Sequence, residues 1–203
     1  MDPLHKLVEM FREFPGIGPR QARRFAFFLL SRPNNFLEDL VNTIHEVKQT
    51  MRFCSLCKRH FTSEKPQTLC SICSNPDRDT TTLMVVARDT DMEAIEKTRA
   101  YRGFYFILGG TIPILDKDPE NRIRIRDLEQ RIQSTPAKEI IISLNATPEG
   151  EHTAEYVLNS LKDYAAEHSI AVSVLGRGLS TGSELEYADA STLTSALVHR
   201  TKV

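Results

Sequence analysis

Cys54, Cys57, Cys70 and Cys73 fall in two C-x2-C pairs separated by twelve residues, and this spacing restricts the chain's folding more than any other feature. A two-residue gap lets both sulfurs of a pair face one ion from a tight turn. Two such pairs complete the tetrahedral sulfur shell that zinc prefers. The chain has four cysteines in all, so the pattern uses every one. The alternatives are two disulfides or four reduced core cysteines. The N-terminal stretch MDPLHKLVEMFREF mixes charges into its apolar pattern and does not read as an export signal, which weakens the disulfide alternative. The expectation is one structural Zn2+ per chain held by the four cysteines, with no coordination position left for a substrate water. His60 lies in the intervening loop, but four thiolates already satisfy the ion.

Around these cysteines the chain, 203 residues long, shows three regimes. Leu4, Leu7, Val8 and Phe11 recur at helical spacing, as do Phe36, Leu37, Leu40, Val41, Ile44 and Val47. A turn and a third helix lie between them. Residues 52–79 carry little regular pattern. From residue 80 onward, short apolar runs alternate with amphipathic helices: LMVVA (83–87), FYFIL (104–108), EIIIS (139–143) and AVSVL (171–175), each followed by helical sequence. Strand followed by helix, repeated, predicts parallel strands with crossover helices. Strands buried on both faces read as continuous apolar runs. No apolar run reaches the ~18–20 residues needed to span a bilayer, and the reading is a cytoplasmic protein without a membrane partner.

The formal net charge of −1 predicts no nucleic-acid partner, but the distribution is uneven: residues 1–60 hold ten Lys/Arg against six Asp/Glu. Within that segment, Phe14-Pro15-Gly16-Ile17-Gly18-Pro19 is a turn between helices. Gly16 and Gly18 can take conformations closed to other residues, Pro19 suits a first helical turn, and Ile17 is expected to be buried between the helices. Free N–H groups at that helix start can receive a phosphate, and Arg20, Arg23 and Arg24 follow at once. The pattern is that of a helix-hairpin-helix, which grips DNA backbone without reading sequence. The alternative is a corner used for packing or oligomerisation, and the apolar excess of Phe25, Phe27, Phe28, Leu29 and Leu30 allows both.

Hairpin, four-cysteine knob and parallel α/β region, in this order, resemble the bacterial recombination mediator family RecR nearly end to end. The matching stretches are PGIGPRQARRFAFFLL, the two Cys pairs followed by NPDRD, VVARDTDMEAIEKT, YRGFYFILGG, TPEGEHTAEYV and GLSTGSELEYADASTL. The resemblance implies a Toprim fold for the α/β region and a ring- or clamp-like homo-oligomer, dimer or tetramer, around DNA. It also implies partnership with RecO, and possibly RecF, in loading RecA onto single-stranded DNA covered by SSB. The expected fold class is therefore α/β with an N-terminal all-α segment: a helix-hairpin-helix region (1–52), a zinc knob (53–79), a Toprim-like parallel sheet flanked by helices (80–175) and a C-terminal segment (176–203). By family analogy that last segment, with Glu186, Tyr187 and Asp189, contributes to subunit contact.

Toprim enzymes use a Glu after the first strand and an Asp-x-Asp after a later one to hold Mg2+. Here Ala87 stands where the first acid is expected, and Asp89 and Asp91 follow at a different offset. The later acidic pair is Glu149 and Glu151, at the carboxyl end of a strand, where open α/β sheets bind ligands. The functional reading is a weak metal site or, as the resemblance implies, an acidic face for RecO made by Asp91, Glu149 and Glu151, with no catalytic residue. The simpler reading of the pair is a helix start complemented by acid. Gly176–Gly182 lacks the Gly-Lys-Ser/Thr ending of a phosphate loop and is read as a turn. The loop LDKDPENRIRIR, led in by Thr111-Ile112-Pro113, departs from the family pattern. With Ala87 it suggests altered partner contacts on one face. The expected function is a non-enzymatic DNA repair mediator. The rivals are a metal-dependent Toprim nuclease and a protein-interaction adaptor without direct DNA contact.

Overall fold

The computed structural model describes residues 2–63, 66–176, 178–179, 182, 184–198 and 200. They form two compact units. The first runs to Met51 and includes Thr62 and Ser63; the second holds Arg52–Phe61 and the chain from residue 66 onward. In the Gly176–Gly182 segment, residues 177, 180 and 181 lie outside the described residues, and Gly182 takes a left-handed φ of 84°.

The first unit is helical: α1 (Pro3–Arg12), α2 (Pro19–Leu30) and α3 (Asn34–Thr50). Asp2 opens α1 by accepting the Leu4 N–H at 3.4 Å, and Pro3 occupies the first turn, where no N–H is missed. On α2 the buried stripe is Ala22 and Ala26, one turn apart. The Phe11 ring meets Phe14 and Phe25 edge-on at 5.7 and 5.8 Å. Ile17 is only half-buried, contrary to expectation, because these rings and the alanine stripe supply the packing beside the turn. No residue of α1 or α3 is fully buried. The apolar stripe predicted on α3 exists, but Val41, Ile44 and Val47 are exposed.

The second unit is built on a parallel sheet of β3 (Asp79–Val86), β4 (Gly103–Ile107), β5 (Glu139–Ser143) and β6 (Ala171–Val174), in the order β4-β3-β5-β6. Met84 stands opposite Tyr105 on one side and Ile141 on the other. The helices α4 (Asp89–Thr98), α5 (Ile125–Gln133) and α6 (Pro148–Glu167) follow β3, β4 and β5. Every residue of β4, and Leu83–Val86 of β3, is buried, as their unbroken apolar sequence demands. Tyr105, Phe106, Leu128, Ile140, Ile142 and Leu161 are the bulk of the core. The last elements among the described residues are a 3-10 turn (Leu185–Tyr187) and α7 (Ala190–Val198).

Strand β4 is an edge, and a bare edge invites unwanted pairing. Here side chains and the cysteine loop cover it. The Ile107 N–H donates to the Cys57 carbonyl at 2.9 Å, and Arg124 donates to the Ile107 carbonyl at 3.1 Å. Arg78 donates from Nε and Nη2 to the Gly103 carbonyl at 3.0 and 2.7 Å. The cysteine loop is held further by Lys58–Asp127 at 3.1 Å and His60–Asp89 at 3.3 Å. Strands β1 (Met51–Phe53) and β2 (His60–Thr62) form a two-stranded ribbon beside it.

Candidate nucleic-acid interface and metal centre

The hairpin turn reverses on Gly16, whose φ of 76° is a left-handed conformation costly to any residue with a Cβ. Gly18 behaves differently from expectation: at φ −81° and ψ 172° it sits in ordinary extended backbone. It caps α2 without a side chain, and a Cβ built on it meets nothing within 4 Å. Its absent side chain leaves the helix start open. Pro19 has no N–H and Ala22 bonds back to the Gly18 carbonyl at 3.0 Å, so the Arg20 and Gln21 N–H groups lack intrahelical partners. The helix dipole adds partial positive charge at the same point.

Arg20, Arg23 and Arg24 sit at helical spacings of three and four, hence on one face, and all three are exposed. Among the described residues their one side-chain bond is from Arg24 to the Gln21 amide oxygen at 3.5 Å. None pairs with a carboxylate among the described residues. They line a shallow depression with Phe27, Phe28 and Ser31. Phe27 is 53% and Phe28 46% exposed, a contribution the residue pattern registered only as surplus apolarity. The structure therefore gathers four of the five expected hairpin residues, Gly18 and the three arginines, around one uncapped helix start; Gly16 makes the preceding turn.

The four cysteines converge. Their sulfurs all lie within 4.8 Å of one another and each cysteine is buried. Two matching turns bring them there: the Lys58 N–H bonds to the Cys54 carbonyl and the Ser74 N–H to the Cys70 carbonyl, each at 3.0 Å. The Cys57–Cys70 sulfur separation is 3.6 Å. A tetrahedral shell with metal–sulfur bonds of about 2.3 Å needs sulfurs about 3.8 Å apart, so the cluster fits a metal ion and is too open for disulfides. Hydrogen bonding with Cys57 holds the Cys54 thiol far below the ordinary thiol range, and the same bond pushes Cys57 far above it. A bound metal would displace the remaining protons. Among the described residues no second cluster of this kind occurs.

The expected acidic face divides by use. Strands β3 and β5 are adjacent, with Val86 opposite Ser143, so the starts of α4 and α6 share the carboxyl edge of the sheet. Ala87 is buried, and its carbonyl accepts the Gly109 N–H at 2.9 Å. Asp89 accepts the His60 N–H at 2.9 Å as well as pairing with its ring. Asp91 closes a capping box on the Arg88 N–H at 2.9 Å. Glu149 and Glu151 lie in the first turn of α6, and Glu149 receives the Thr111 hydroxyl at 3.5 Å. The divergent loop is anchored where Ile112, fully buried, donates its N–H to Thr153 at 2.8 Å, yet Leu115 is 91% exposed. In the C-terminal segment Leu185 and Tyr187 are exposed, and Asp189 accepts the Thr192 N–H at 2.9 Å.

Comparison with known proteins agrees along the whole chain. Family models match in three places: RecR, helix-hairpin-helix, over residues 4–48; the Toprim domain over 81–176; and RecR, C-terminal, over 178–201. Among curated relatives, the recombination protein RecR of Lactococcus lactis subsp. cremoris (strain MG1363) is 37% identical over 202 residues, covering 100% of this chain and 98% of the relative. Its namesake in Acaryochloris marina is 40% identical over 198 residues, 98% and 94% of the two chains. That of Bifidobacterium animalis subsp. lactis is 41% identical over 201 residues, 98% and 96%.

Proposed function

The chain belongs to the RecR family of recombination proteins, and on that premise we propose that it is a non-enzymatic mediator that holds DNA through its hairpin. The observation that carries this reading is the group of three arginines on one face of α2, without carboxylate partners, beside a helix start that no side chain caps. Guanidinium groups and free N–H groups together suit successive backbone phosphates, which gives affinity without sequence preference. The four cysteines would hold one Zn2+. Its chemistry there is structural, since four thiolates leave no position for substrate.

Ring formation as a dimer or tetramer is supported by apolar surface that one chain leaves uncovered: Val41, Ile44 and Val47 on α3, and Leu185 and Tyr187 near the C-terminus. Asp91, Glu149 and Glu151 would offer RecO an acidic edge, with RecF a further candidate partner, in loading RecA onto SSB-covered single strands. The divergent loop beside Glu149 would alter that contact; ordinary affinity for a conventional RecO would contradict this. Among the described residues no helix is long and apolar enough to cross a membrane, and a cytoplasmic location accords with the role.

Catalysis is disfavoured by what the carboxylates already do. Ala87 offers none, Asp89 is spent on His60, and Asp91 on its own helix cap. DNA cleavage with Mg2+ or Mn2+, lost on Glu149→Ala, would restore the nuclease reading. The adaptor reading draws on the exposure of Phe27, Phe28 and Leu30 beside the arginines. A salt titration of DNA binding by fluorescence anisotropy separates it from the proposal. Log K should fall with log salt by ~0.7 per phosphate contact on single strands and ~0.9 on duplex. Replacing Arg20, Arg23 and Arg24 by Ala should flatten that slope by about 2–3. Binding with unchanged slope would place the DNA contact elsewhere.

A further inference from the structure

Two arginines of the α/β unit, Arg59 and Arg131, bury their Nε without a hydrogen bond among the described residues, and Arg131 is the more buried. Arg131, on α5, is 9% exposed, and its Nε makes no hydrogen bond among the described residues. Its guanidinium forms no ion pair there either, and its Cζ lies 5.8 Å from the centre of the Phe104 ring. Burying part of a guanidinium without a hydrogen-bonded partner costs free energy. The same unit solves the problem differently at Arg78, which reaches both oxygens of Glu96 and a carbonyl. At Arg131 an empty space takes the carboxylate's place.

That space is an open pocket of about 170 Å³ between α5 and the first cysteine pair, with Leu56 on its wall beside the polar Ser55, Lys58, Asp127, Gln130, Arg131 and Ser134. Asp127 is the single acid on its wall and already pairs with Lys58 at 3.1 Å. Lys58 carries three N–H donors, so the pair does not exhaust it. The wall therefore presents two cations against one carboxylate, with an amide and hydroxyls around them. Water can fill such a pocket but cannot balance its charge.

We propose that this pocket is a binding site for a tetrahedral oxyanion of the phosphate class, held by the planar fork of Arg131 and the point charge of Lys58. A fork and a separate ammonium approaching from two elements match an anion with several acceptor oxygens. All residues of the site belong to the α/β unit, so it does not depend on the DNA reading.

Phosphorus NMR of inorganic phosphate, titrated against the full zinc-loaded chain at constant ionic strength, tests this. Line broadening should saturate at one site per chain, yield to sulfate and ignore chloride. Arg131→Lys keeps the charge but loses the fork, and Lys58→Gln alters only the half-buried rim, so folding, checked by circular dichroism, survives in at least one variant. Each should weaken phosphate at least about tenfold. Displacement by an oligonucleotide only when it bears a 5′ phosphate assigns the anion to a nucleic-acid end. Displacement by neither oligonucleotide assigns it to a free anion; both results support the site. Absence of saturation, or equal affinity in both folded variants, overturns it.

Discussion

Arg78→Met tests how the sheet edge is held. Methionine keeps roughly the length of the side chain and removes four hydrogen bonds: two to Glu96, at 2.6 and 3.0 Å, and two to the Gly103 carbonyl. Gly103 is buried, so its carbonyl cannot regain water, and an unsatisfied buried acceptor costs about 1–3 kcal/mol. The Glu96 side chain is 34% exposed and rehydrates in part, so losing the ion pair adds about 1–2 kcal/mol, between surface and buried values. A total near ~3 kcal/mol predicts a drop of about 6–12 °C in melting temperature for a chain of this size. Glu96→Gln supplies the electrostatic arm. The hydrogen bond from Arg78 holds the Glu96 carboxyl below its usual range, so folding favours the ionised form. Its contribution is complete above the unfolded value of about 4.3 and is lost as pH falls through the lower folded value. The stability gap between the parent and Glu96→Gln should be level from about pH 7 to pH 5 and close below about pH 4. Thermal melts across that range read both effects. A loss under about 1 kcal/mol in Arg78→Met, or a gap that ignores pH, would refute the account.

Cys57→Ser, or chelation of the parent, should release the metal and loosen the α/β unit, because the Cys57 carbonyl pairs with Ile107. Hydrogen exchange should show β4 amides losing protection while those of α2 keep theirs. Gly16→Ala should cost about 1 kcal/mol through its left-handed φ alone, since open space surrounds the added methyl. Urea melts would measure this, and a neutral result would mean that the turn tolerates another conformation.

The parallel sheet was legible in the sequence because both faces of β3 and β4 are covered, and double burial leaves an unbroken apolar run. The metal cluster was legible because two-residue gaps confine both sulfurs of a pair to one turn. Arg131 was not, since the same helix pattern serves a surface arginine; its burial comes from Phe104 and the cysteine loop, which no local period encodes. NPDRD stood out only as resemblance. Its arginine acts on Glu96 and Gly103, 18 and 25 residues further along. Asp91 offers the opposite lesson: an acid three residues into a helix is a capping signal readable in sequence, and the structure gives it that use. Its service to a partner is a separate claim that the hairpin and cysteine geometry does not touch.

The cysteine loop is tied to the α/β fold at three points. Its Cys57 carbonyl completes β4, Lys58 reaches Asp127 on α5, and His60 reaches Asp89 at the start of α4. Two of these residues follow the first cysteine pair within three positions. A metal fixing that turn would therefore also set where they point. Zinc-binding free energies in small fingers run to about 10–16 kcal/mol, larger than the whole stability of a typical domain at about 5–15 kcal/mol. Even a fraction of that, transmitted through three short contacts, is enough to decide whether β4 stays closed to foreign strands. The spacing of four cysteines thus does more than shape a metal site: it places a backbone carbonyl on β4, an edge that arginine side chains otherwise cover.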